Sequence, residues 1–234
     1  MSEDRIPTGV PGLDPILGGG FLPKNLYLVK GASGSGKTTL GLQFLVEGAR
    51  RGEKCLYLGL SETRGQLISI AKAYGLSLGG IDIHEMRRRG DADAQRRGYT
   101  VFSSSEVELE EISREILEQF ERVQPARLVL DSLSELRLLA EDAFRYRREL
   151  LTLSDQISGR TATGILIDIE SEGPSAVVAE TLVSGIIQLE QTTPAYGGSR
   201  RRLRVRKMRA SRSVGGYHDF AIVDEGLVLY PRLV

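Results

Sequence analysis

The sequence predicts an α/β fold, with a mainly parallel central sheet flanked by helices and antiparallel strands added at the C-terminal end. Three observations carry this. Short apolar runs alternate with segments of helical period between residues 26 and 190. A glycine-rich turn, residues 31–38, joins the first apolar run directly to the first helical segment. Beyond residue 200 the pattern changes to closely spaced extended runs with tight turns.

Leu26 to Val29 is short and wholly apolar, as a buried strand requires. Lys37 to Arg51 follows as a helix, with Leu40, Phe44 and Leu45 at helical spacing. Cys55 to Leu60 is a second strand and Gly65 to Tyr74 a second helix. The charged, aperiodic stretch 84–100 predicts a loop or lid. Glu106 to Arg122 reads as an acidic amphipathic helix and Arg127 to Leu130 as a third strand. Phe144 to Ser158 is a further helix, with strands at Gly164 to Ile169 and Ile186 to Glu190. The closing strands are Leu203 to Arg209, Asp219 to Val223 and Leu227 to Tyr230, the last two joined by the turn Asp224-Glu225-Gly226. Right-handed crossovers would bring the C-terminal ends of the parallel strands to one rim, where ligands bind in such sheets.

The 234 residues suit one α/β domain, 1–234, and a hydrophobic fraction of 41% allows a sizeable core. Basic and acidic residues balance at 31 each, which argues against a general affinity for nucleic acid or anionic membrane. The sole cysteine, Cys55, excludes an internal disulfide and fits a reducing cytoplasm. No apolar run reaches membrane-spanning length, and the polar start, Met1 to Arg5, lacks a signal-peptide core. The two histidines, His84 and His218, stand far apart, against a His/Cys metal site.

Residues 31–38, GASGSGKT, match G-x-x-x-x-G-K-[ST] in full, between a strand and a helix as the motif requires. Gly31, Gly34 and Gly36 let the backbone wrap a phosphate with its N–H groups turned inward. The positive end of the following helix adds to the attraction. Ser33, Ser35 and Thr39 complete the nucleotide-binding set, Lys37 reaches the β- and γ-phosphates, and the Thr38 hydroxyl can ligate Mg²⁺. Asp131 ends the apolar strand RLVLD, the position of a second Mg²⁺-holding group. Ser132, one step on, is either a contact to the attacking water or metal shell or a plain turn residue. In YLGLSETRGQL, residues 57–67, Glu62 is the one carboxylate where an apolar strand stops. It reads as a catalytic base or as a cap of the next helix, and its strand is expected beside the P-loop strand.

These motifs together resemble the RecA/KaiC superfamily, and KaiC-like ATPases in particular, over nearly the whole chain. RIPTGVPGLDPILGGGFLPKNLYLVKGASGSGKTTLGLQF resembles the family opening, VLDSLSELRLL its Walker B region, and RVRKMRAS its K-[LM]-R-G element. The resemblance implies a RecA-like core binding ATP and Mg²⁺ between subunits of a homo-oligomer, often a hexameric ring, with signalling proteins as possible partners. It also implies that Lys207 and Arg209 enter the neighbouring subunit's γ-phosphate site as trans fingers. In the residues themselves, Leu203, Val205, Lys207 and Arg209 would share one face of an extended strand, apolar first and cationic last. Clock-type KaiC proteins carry two such domains in tandem, whereas this chain holds one. It departs from the family in reading Ser61-Glu62 where relatives often carry two glutamates, and Arg209-Ala210 for Arg-Gly.

Slow ATP hydrolysis is the function this implies. One alternative is a KaiC-type autokinase acting on Thr181, next to Glu180. Another is an ATP-dependent assembly switch with little turnover. DNA recombination is disfavoured because the basic stretch 200–212 is explained by phosphate fingers.

Overall fold

The computed structural model describes residues 5–86, 104–157, 162–171 and 173–232. The strands are β1 (Leu26–Gly31), β2 (Cys55–Gly59), β3 (Ile81–Glu85), β4 (Arg127–Asp131), β5 (Thr163–Ile169), β6 (Gly185–Thr192), β7 (Arg200–Met208), β8 (Tyr217–Val223) and β9 (Gly226–Tyr230). The helices are α1 (Leu13–Ile16), α2 (Lys37–Arg50), α3 (Arg64–Ala73), α4 (Ser104–Val123), α5 (Leu133–Ala140), α6 (Ala143–Ile157) and α7 (Pro174–Leu182). One sheet runs β3-β2-β4-β5-β1-β6-β7-β8-β9. From β3 to β6 all pairings are parallel, and β7, β8 and β9 extend the sheet antiparallel. The predicted fold class is therefore present. No helix among the described residues is long and apolar enough to cross a membrane.

The central strands are apolar without a break because helices cover both faces. Tyr27, Val29, Tyr57, Val129 and Ile165 face α2, packing with Leu40, Phe44 and Leu45. Leu26, Leu28, Leu56, Leu58 and Leu130 face the opposite side, against α4 to α7 through Ile116, Phe120, Leu136 and Tyr146. Close approach of α2 to the sheet depends on Gly41. A Cβ there would lie 3.1 Å from Ile167 and 3.2 Å from Val129, tighter than ordinary contact. This approach carries the N-terminus of α2 from the end of β1 across β5 toward β4.

Three expectations need correction. β2 does not lie beside β1: β4 and β5 stand between them. The charged stretch from residue 84 starts inside β3, an edge strand paired with β2, so His84 and Glu85 are not loop residues. The remainder of that stretch, 87–100, lies outside the described residues. Finally, β7 is not a uniformly alternating strand. Ile186 pairs with Lys207 but Ile187 pairs with Val205, so Arg206 is an extra residue, a β-bulge. The bulge reverses the alternation. Leu203, Val205 and Met208 join the core on the α2 side, while Lys207 turns to the α7 side.

Arg127 opens β4 and is fully buried. Its guanidinium pairs with both carboxylate oxygens of Glu53 at 2.6 and 3.2 Å and donates to the carbonyls of Pro7 and Phe44. It also lies 4.7 Å from the centroid of the Phe44 ring. It thus ties the N-terminal segment, α2 and β4 together. Arg127→Met is expected to lower unfolding free energy by about 3 kcal/mol, since it leaves buried carbonyls and Glu53 unpaired. A lower urea midpoint at unchanged m-value would register it.

Candidate functional site

The loop from Gly31 to Gly36 begins where β1 ends and runs straight into α2. Gly36 has φ 100°, in the left-handed region where glycine alone is unstrained, and this turns the chain into the helix. Gly31 is confined differently: a Cβ there would lie 2.4 Å from the Leu189 carbonyl and 2.8 Å from Ser35 Oγ. The Lys37 ammonium folds back over the loop and donates to the carbonyls of Gly31 and Ala32 at 2.9 and 2.8 Å. Burial pulls the Lys37 pKa below the usual lysine value, opposed by the charges of Asp131, Asp168 and Glu170. Ser35 Oγ is buried with no hydrogen-bond partner, an orphaned polar atom inside the cradle.

Asp131 is the centre of the site. It ends β4 and is 3% exposed, and its peptide bond to Ser132 is cis. Thr38 Oγ1 and the Tyr57 hydroxyl both donate to Oδ2 at 2.8 Å. Burial raises the Asp131 pKa, while these two hydrogen bonds and the Lys37 charge favour the carboxylate. A hydroxyl on the first turn of α2 and a buried carboxylate from a strand two places away thus meet at one point. Such an all-oxygen pair fits a hard divalent cation that keeps water or phosphate oxygens as its remaining ligands.

Glu62 follows β2, which pairs with β4 in register Gly59 to Asp131. The Leu60 amide donates to the Asp131 carbonyl at 2.6 Å, so the turn carrying Glu62 is fixed to the end of β4. The helix-capping reading of Glu62 is answered by its neighbour. Thr63 is the N-cap of α3, and its side chain and that of Gln66 form a reciprocal capping box. Glu62 is left facing a cleft of about 290 Å³ that is also lined by Lys37, Thr38 and Asp131. Burial, and then the charge of Asp131, raise its pKa above the usual carboxylate value. Ser33, Gly34, Gly36, Thr39, Ser61 and Ser132 share this cleft, and Tyr74, Ile169 and Ile222 give it an apolar side.

Lys207 and Arg209 are not brought to this cleft. Lys207 is level with Ile186, which is level with Leu28 of β1. Gly31 lies about 10 Å further along that strand. Arg209 is further still toward the opposite rim, its amide bonded to the Ser184 carbonyl. The two side chains donate to the last carbonyls of α7: Lys207 Nζ to Glu180 at 2.6 Å and Arg209 Nη2 to Thr181 at 3.3 Å. Burial, then the charge of Arg209, hold the Lys207 pKa below the usual lysine value. Ala210 follows at φ 52°, a left-handed conformation that costs a non-glycine residue about 1 kcal/mol. The Thr181 hydroxyl donates to the Val178 carbonyl within its own helix.

Sequence reasoning missed Tyr57, Lys30 and Asp168. Tyr57 sits inside an apolar run, and nothing in the run marks its hydroxyl as a partner of Asp131. Lys30 and Asp168 carried a readable signal: each is a lone charge near the end of an apolar strand. Both are buried and paired, Lys30 with Glu180 at 2.7 Å and Asp168 with Arg137 at 2.7 and 3.1 Å.

The family model described as "ATPase: KaiC" matches residues 6–234. The circadian clock oscillator protein KaiC of Picosynechococcus sp. is 32% identical over 233 residues, covering 97% of this chain but 43% of that protein. The chain thus spans less than half the length of the clock proteins it resembles. A UPF0273 protein of Aeropyrum pernix is 31% identical over 247 residues, covering 99% of this chain and 95% of the relative. The crystal structure of a KaiC-like protein from Pyrococcus horikoshii OT3 superposes with a TM-score of 0.80 at 26% identity, covering 97% of this chain and 99% of that one.

Proposed function

The chain belongs to the KaiC ATPase family, and from that premise we propose that it binds ATP with Mg²⁺ in the P-loop cleft and hydrolyses it slowly between copies of itself. The carrying observation is the split arrangement. Lys37, Thr38, Asp131 and Glu62 meet at one rim of the sheet, while Lys207 and Arg209 lie toward the other. A site needing all six requires two copies placed head to side, as in a closed ring of identical interfaces. A hexamer is the assembly proposed.

Each residue then has a role. The loop amides, with the start of α2 behind them, hold the β- and γ-phosphates. Lys37 exchanges its two carbonyl partners for phosphate oxygens. Thr38 and Asp131 would hold the metal, which when bound neutralises charge on those oxygens. Glu62 accepts a proton from the attacking water or orients it. Lys207 and Arg209 of the adjacent copy stabilise charge on the transferred phosphoryl group. Ser61, standing where relatives often carry a second glutamate, supports the slow rate.

Phosphate release from Mg-ATP is expected from the wild type and not from Lys37→Ala. Equal release by the two would contradict the assignment. Tyr57→Phe tests the metal position. Loss of the hydroxyl that holds Asp131 is expected to weaken the Mg²⁺ dependence of nucleotide binding by about tenfold. Binding measured in excess chelator should be unchanged; an unaltered Mg²⁺ titration would separate Tyr57 from the metal.

A further inference from the structure

Glu180, in the last turn of α7, bonds residues of both the P-loop strand β1 and the finger strand β7. Its carboxylate accepts from Lys30 Nζ at 2.7 Å and from Arg206 Nη1 at 3.1 Å. Lys30 is the residue of β1 immediately before Gly31, and its side chain is 9% exposed. Arg206 is the bulge residue of β7 that turns Lys207 toward α7. The main chain at the same turn holds the other two cations, Lys207 on the Glu180 carbonyl and Arg209 on the Thr181 carbonyl. The last carbonyls of a helix lack intrahelical partners and favour positive charge, so the helix end itself selects these cations.

The carboxylate ties that helix end to two neighbouring strands. α7 is nine residues long; Val178, Ala179 and the C-cap Val183 are buried and Leu182 packs against the core, so apolar contacts seat the helix and the carboxylate adds a polar tie at its end. The pair with the buried Lys30 fastens its end to the P-loop strand, and the more exposed contact with Arg206 links it less strongly to the bulge. Charge-assisted hydrogen bonds are about twice as strong as neutral ones and hold geometry accordingly.

We infer that Glu180 is a positioning residue: by pinning the end of α7 between Lys30 and Arg206 it sets how Lys207 and Arg209 are presented to the neighbouring subunit. Glu180 touches neither the nucleotide nor the water and acts through the two cations. The inference rests on the trans role of Lys207 and Arg209 proposed above. It makes the P-loop strand of one subunit a mechanical support for catalysis in the next.

Mixed assemblies test it. A donor subunit carries Lys37→Ala, with its fingers intact. An acceptor carries Lys207→Ala and Arg209→Ala, with its P-loop intact. Neither hydrolyses ATP alone, and the mixture regains phosphate release. Glu180→Gln placed in the donor is expected to lower the regained rate by about tenfold, and placed in the acceptor to leave it unchanged. Arg206→Gln in the donor, which keeps the Lys30–Glu180 pair, gives a smaller loss with the same donor-only pattern. It decides the matter if Glu180→Gln does not assemble. An equal loss in donor and acceptor, or none in either, overturns the positioning role. A mixture that regains no activity with Glu180 intact overturns the trans reading itself, and this inference with it.

Discussion

Lys207→Ala combined with Arg209→Ala lowers ATP turnover by about a thousandfold or more while ADP affinity is retained. The expectation follows from where the two cations sit. They lie toward the far rim from their own P-loop, so removing them leaves Lys37, Thr38 and Asp131 untouched. In their own chain they bond carbonyl oxygens at the end of α7, contacts that water can replace at partly exposed positions. The loss should therefore fall on the chemical step rather than on folding or on binding of the diphosphate. Phosphate release and equilibrium ADP binding, measured on the same preparation, separate these. Turnover within a few-fold of wild type would remove both residues from the mechanism.

Glu62→Gln lowers turnover by about a hundredfold or more, with assembly and nucleotide affinity preserved. Glutamine keeps the size and the hydrogen-bonding reach of the side chain but cannot take a proton. The α3 cap does not depend on position 62, because Thr63 and Gln66 close it between themselves. Burial and the neighbouring Asp131 make Glu62 a better proton acceptor than a solvated glutamate. The same measurement addresses the non-catalytic alternative. If wild type and Glu62→Gln release phosphate at equal, very low rates, the cleft serves an assembly switch instead of hydrolysis.

The local parts of this site were legible because their chemistry is contiguous in the chain. GASGSGKT states its own turn, its glycines and its lysine, and RLVLD ends in its carboxylate. The order of strands was not legible. Parallel strands are joined through helices, so sequence neighbours need not pair, and β4 and β5 separate β2 from β1. Strand β3 escaped because its alternation, Ile81 and Ile83 against Asp82 and His84, lasts five residues and merges with a charged stretch. Helix α5 follows Asp131 with only Ser132 between, so its start is hard to separate from the strand end, and α7 begins on Pro174, a first-turn signal. The bulge at Arg206 matters most. Period-two reasoning put Lys207 on the face of Val205, and one extra residue moved it to the face of α7. That single residue separates a strand that merely ends in cations from one that holds them at a helix terminus near Glu180.

On the proposed function, one active site needs two copies of the chain. The turnover rate per subunit, measured across a dilution series with the mass of the assembly determined at each concentration in Mg-ATP, tests this. The rate per subunit should fall in step with the assembled fraction and approach zero where the chain is monomeric. A fully monomeric sample that hydrolyses ATP as fast, per subunit, as the assembly would show that one chain suffices.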